Sequence, residues 1–159
     1  MKGVNGTMHI PKFLPIGFLS LLSVVVSFQV FAQEDGIQKR RLLMEANSDA
    51  GVKAVKKAIT EKNYAEIQVK VKLIMENMDT MLDLFPKGSL SEKSRAKPEI
   101  WERWDEFSKH SGNARKAAQA LADAARAGDE EAVNVKFKTL GEACKGCHDS
   151  FRAEKKKSG

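Results

Sequence analysis

Apolar residues fall at steps of four and three along most of this chain, and that rhythm restricts what it can fold into. Ile67, Val71, Ile74, Met78, Met81 and Phe85 follow the steps 4-3-4-3-4, and so do Val133, Phe137, Leu140, Cys144, Cys147 and Phe151. Ile100, Trp104, Phe107, Ser111, Ala114, Ala118, Leu121 and Ala125 keep the same alternation. Ile37, Met44, Gly51 and Ala58 recur at seven, with Ala54 and Val55 filling a second seam. A seam of this period lies on one face of a helix and needs other helices to cover it. No alternating strand pattern accompanies it. The expectation is an all-α, up-down-up-down four-helix bundle.

The breaks set the boundaries. Helix one is expected from about Asp35 to Thr60, and helix two from about Tyr64 to Phe85. Pro86-Lys87-Gly88-Ser89 then opens a loop to Lys97. Pro98 suits the first turn of helix three, where its missing N–H costs nothing. Gly128 closes that helix and Asp129 caps helix four. In this topology Met44, Met78, Met81, Phe85, Trp101, Trp104 and Phe107 gather at the end where helix four finishes, while the opposite end is lined mostly by alanine and valine. Bulk at one end implies a widened gap there, although methionine and tryptophan also serve simply as core filling.

That end carries Cys144-Lys145-Gly146-Cys147-His148, which holds both cysteines of the chain. C-x-x-C-H is the attachment signature of c-type haem: two thiols add to the porphyrin vinyl groups and the histidine ligates the iron. On a helix the two sulfurs and the imidazole share one face. A thioredoxin-like pair needs a βαβ setting that is missing here. A structural zinc site needs a full tetrahedral ligand set, and His9 and His110 are the only other His or Cys residues, without finger-like spacing. The expected cofactor is one haem c, bound covalently through Cys144 and Cys147.

Residues 1–32 read as a signal peptide. Lys2 and Lys12 precede an apolar run from Phe13 to Val30, and Val30-Phe31-Ala32 supplies the spaced small residues of a cleavage site. An uncleaved anchor is the alternative, which Pro15 and Gly17 oppose. Cleavage after Ala32 leaves residues 33–159 as one exported, periplasmic domain with no membrane segment. Without Lys2 and Lys12 it has 25 basic and 21 acidic residues, a net charge of +4. That balance is too weak and too dispersed for a nucleic-acid partner.

The segment Cys144–Arg152, including the aromatic and the arginine after the histidine, resembles the haem segment of the class II c-type cytochromes, the cytochrome c-prime family. Lys97-Pro98-Glu99-Ile100-Trp101 resembles that family's entry into the third helix, and Asp35–Met44 its first helix. The resemblance implies a haem-binding bundle in which an arginine precedes the distal-face residue by four. Those positions are Arg40 and Met44 here. High-spin members have a non-ligating apolar residue at the distal position, whereas low-spin members of the cytochrome c-556 type have methionine as sixth ligand. The resemblance therefore implies a low-spin protein with His148 and Met44 as axial ligands, with Met78 and Met81 as rivals for the latter role.

Arg40, one turn before Met44, is a candidate to fork onto a haem propionate, with Arg41 as its rival. Arg152 is a candidate to tune the proximal histidine, or else a solvated charge at a helix end. Lys145 and Lys155–Lys157 form a candidate basic rim for an acidic redox partner, or a solvated tail. His110 is expected at the surface. The function expected is a single-haem electron carrier rather than an enzyme. The alternative is a five-coordinate cytochrome c-prime that binds nitric oxide or carbon monoxide. The resemblance also allows a homodimer through the first two helices.

Overall fold

In the computed structural model, residues 35–91 and 93–155 are described. The expected signal peptide, its cleavage site and Lys156–Lys157 lie outside them. Among these residues, α1 spans 35–60, α2 Tyr64–Met81, α3 Glu99–Glu102, α4 Trp104–Ala127 and α5 Glu130–Phe151. The long helices α1, α2, α4 and α5 form the four-helix bundle. Helix α2 packs on α1 and α4, and α4 packs on α5.

The sequence dictates each turn. Asn63 caps α2 by accepting from the Glu66 N–H at 3.0 Å, after Lys62 has taken a left-handed φ of 52°. Gly128, at φ 71°, ends α4 in the left-handed conformation that suits glycine. Asp129 then caps α5 through the Ala132 N–H at 2.9 Å. Every member of the α2 seam from Ile67 to Phe85 is buried. The small-residue end closes as expected, with Ala118, Leu121, Ala125 and Val133 buried. A buried Ser111 hydroxyl donates to the Met78 carbonyl at 3.2 Å, which ties α4 to α2.

Three local features depart from the simple pattern. Helix α1 is not uniform: Asn47–Lys53 is a π-helical stretch between α-helical segments. Helix two loses its α geometry at Met81 and finishes in a 3-10 turn, Leu82–Leu84. Helix three is broken at Arg103 (φ −123°, ψ 48°), which separates the short α3 from α4. The break turns Trp104 outward, so this expected seam residue is 36% exposed and only leans on Phe107, with ring centroids 5.6 Å apart. Ile100 and Phe107, on either side, stay buried.

The loop before α3 is stitched to the end of α5. Lys97 N–H donates to the Phe151 carbonyl at 3.0 Å, and Ala153 N–H donates to the Arg95 carbonyl at 2.8 Å. The Lys97 ammonium reaches the Asp149 and Ser150 carbonyls at 3.1 and 3.2 Å, a cation on the exposed acceptors of a helix C-terminus.

Candidate functional site

The stitched end of the bundle holds a cavity of about 560 Å³, a size suited to a cofactor. Helix α1 contributes Arg40, Arg41 and Met44 to its lining, and α5 contributes Cys147, His148 and Phe151. Phe85, Ile100 and Phe107 supply apolar wall between them, and Lys93–Ala96 contribute loop surface. Phe107 meets Phe85 and Phe151 edge to face at centroid distances of 4.9 and 5.4 Å. These contacts fix the wall as one packed unit.

Of the expected site residues, Arg40, Met44, Cys147 and His148 thus share one cavity, and Cys144 is half-buried one turn before Cys147. Met78 and Met81 do not join them: both are buried in the core seam and neither lines the cavity. His110, expected at the surface, is only partly exposed and does not line the cavity. Its side chain is 24% exposed, its ring lies edge-on to Phe151 at 5.8 Å, and Cε1 is 3.6 Å from where a Gly146 Cβ would stand. A Cβ at the centre of C-x-x-C-H would therefore meet the His110 ring at ordinary van der Waals distance.

The electrostatics suit a neutral ring with acidic arms. Burial, then the charges of Arg152 and Arg95, lowers the His148 pKa and favours the neutral imidazole, the form with a free ring lone pair. Burial, reinforced by Cys144, pushes the Cys147 thiol up to about 11. Burial also raises Cys144. Both stay thiols at neutral pH, unlike an exposed redox pair with a lowered pKa.

Arg40 is the sharpest test of fit. Only 4% exposed, its Nη2 donates to the Ser89 carbonyl at 2.6 Å and to the Ser89 hydroxyl at 3.1 Å. Its guanidinium lies over the Phe85 ring at 4.6 Å. Among the described residues, Nε and Nη1 have no hydrogen-bond partner. A buried cation with two unpaired donors on a cavity wall matches a carboxylate such as a haem propionate. Arg41, Lys93, Arg95, Arg152 and Lys155 add positive charge to the lining, against Glu45 and Asp49. Periodicity gave no access to the loop part of this lining, although the excess of cations in residues 93–97 was a signal.

Comparison with known proteins agrees with this geometry. The Cytochrome C' family model matches residues 35–152. A cytochrome c' of Pararhodospirillum photometricum is 33% identical over 119 residues, covering 73% of this chain and 94% of that protein. A cytochrome c-556 of Agrobacterium tumefaciens (strain II Chrys) is 30% identical over 126 residues, 75% of this chain and 98% of that one. The solved structure of a cytochrome c' with an unusual ligand-controlled dimer dissociation superposes with a TM-score of 0.70 at 28% identity, covering 77% of this chain and 97% of that chain. The helices, the cavity between α1 and α5 and a match running across both lead to one conclusion: the chain belongs to the cytochrome c' family, with a covalently attached haem c as its cofactor.

Proposed function

We propose that the protein is a periplasmic electron carrier, not an enzyme, with one haem held between His148 and Met44. The observation that carries this reading is that Met44, from a different helix, lines the same cavity as His148, while the rival methionines are buried in the core. The haem, when bound, supplies a one-electron couple whose potential rises with thioether ligation. Every other contribution belongs to the chain. Cys144 and Cys147 anchor the ring from α5, and His148 presents a neutral imidazole on the face between them. Arg40, braced by Ser89 and Phe85, orients a propionate. Phe85, Ile100, Phe107 and Phe151 keep water from that face. Because these groups sit on packed helices, the site changes little between oxidation states.

Replacing Met44 with Ala tests the assignment. The reading expects a low-spin spectrum to become high-spin, with faster carbon monoxide binding to the ferrous form. A variant that stays low-spin rejects Met44 as ligand. The second reading is a five-coordinate cytochrome c' that captures nitric oxide or carbon monoxide. Its support is that relatives of both the c' and the c-556 kind match this chain over most of their length, and that Met44 is only half-buried. Prompt, tight carbon monoxide binding by the unsubstituted protein favours it.

Export rests on the expected signal in residues 1–32, and among the described residues no helix is long and apolar enough to cross a membrane. The cationic mouth of the cavity suits an acidic protein redox partner. A second copy of the chain is the other partner proposed. Leu42 and Val69, 53% and 59% exposed on α1 and α2, each put one large apolar side chain on the outside of those helices. Sedimentation that shifts with protein concentration would support the dimer.

A further inference from the structure

The π-helical stretch in α1 begins three residues after Met44 and contains Gly51, the one residue of Asn47–Lys53 that is buried. A π turn holds an extra residue relative to α-helix, so it rotates the downstream part of the helix by about 100° relative to the upstream part. Ahead of it, Arg40 and Met44 line the cavity; beyond it, Val55 and Ala58 enter the core against α2.

Two contacts with α2 hold the turn. Asn77 Nδ2 donates to Asn47 Oδ1 at 2.7 Å where the π stretch starts. At its middle the backbone lies so close to α2 that a Cβ on Gly51 would stand 2.8 Å from Ile74 Cγ1 and 3.0 Å from Cδ1. Ile74 is 2% exposed, a β-branched side chain fixed in a packed core. Cγ1 is not a free end that swings away, so either Ile74 leaves its rotamer or the turn backs off α2. Retreat of the turn moves the segment carrying Met44.

We propose that Gly51 is a positioning residue for the haem site. Its missing side chain lets the π turn seat against Ile74, and that seating sets the rotation and depth of Met44 across from His148. The inference deepens the reading of Met44 as the residue facing the haem from α1.

The test uses holoprotein and three variants: G51A, I74A and G51A/I74A. Removing Ile74 beyond Cβ deletes both atoms that a new methyl group would strike. The readouts are the high-spin fraction of the ferric protein and the carbon monoxide association rate of the ferrous protein. G51A is expected to speed association roughly two- to ten-fold, the range that corresponds to one strained rotamer relieved by retreat of the turn, and to raise the high-spin fraction. G51A/I74A is expected to match I74A. A G51A protein indistinguishable from wild type overturns the proposal, and so does a G51A effect that persists at full size in the double variant. If G51A alone does not fold, a difference between G51A/I74A and I74A overturns it, and agreement between them upholds it. Wild-type protein that is already high-spin sinks the ligation reading alone. The carbon monoxide rates then still decide the role of Gly51, because Met44 would act as a steric screen.

Discussion

A buried guanidinium with two unpaired donors is costly to leave in a small bundle, and Arg40 is one among the described residues. The cost is offset when an anion completes its bonding. Replacing Arg40 with Met removes both the anchor on Ser89 and the proposed propionate partner. The holoprotein should lose roughly 1–3 kcal/mol of stability, read from guanidinium unfolding followed at the haem band. Loss of a positive charge beside the haem should also lower the reduction potential, which a potentiometric titration reads. An unchanged potential would leave Arg40 a structural anchor only. That Arg40 and Met44 line one cavity follows the spacing of four on which the resemblance rests. His110 was not legible from the sequence, because distance along a helix says nothing about which neighbour crosses there. Its ring lies edge-on to Phe151 of the facing helix.

At the scale of the element, legibility followed periodicity. Helix α2 is regular to Met81 and its seam was readable residue by residue, since its five positions are buried and so is Phe85 beyond the 3-10 turn. Where the helix period changes, the same method misleads. The alternation of four and three runs unbroken through Arg103, so Trp104 reads as core, yet a non-helical Arg103 turns it outward. The π turn is hidden for the same reason, as a heptad from Ile37 to Ala58 passes through it. Loop residues 93–97 have no period at all, and only their pairing with the end of α5 brings them to the cavity. Terminal signals fared better. Gly128 at φ 71° is such a case, and Gly128→Ala should cost about 1 kcal/mol, because an alanine there must adopt a left-handed backbone. Thermal unfolding checks this, and no change in the haem spectrum should accompany it, since the turn lies away from the cavity.

For the whole molecule, the bundle is asymmetric along its length: small side chains close one end, and aromatic and charged ones open the other. Covalent attachment belongs to this scale. With Cys144 and Cys147 both replaced by Ala, the haem should separate from the chain under denaturing conditions, whereas either single variant should retain it through one thioether. Mass analysis decides. Retention by the double variant would contradict attachment at these residues. The cationic cavity mouth predicts that electron exchange with an acidic protein slows as salt is raised, and that exchange with a basic one does not. Stopped-flow rates at several ionic strengths would show the contrast.

Above all three scales stands the claim that sulfur and imidazole hold the iron from opposite helices. Electron paramagnetic resonance of the ferric holoprotein at neutral pH tests it most directly. A low-spin rhombic signal that Met44→Ala converts to a high-spin axial one is the result predicted; a high-spin signal from the unsubstituted protein would contradict it.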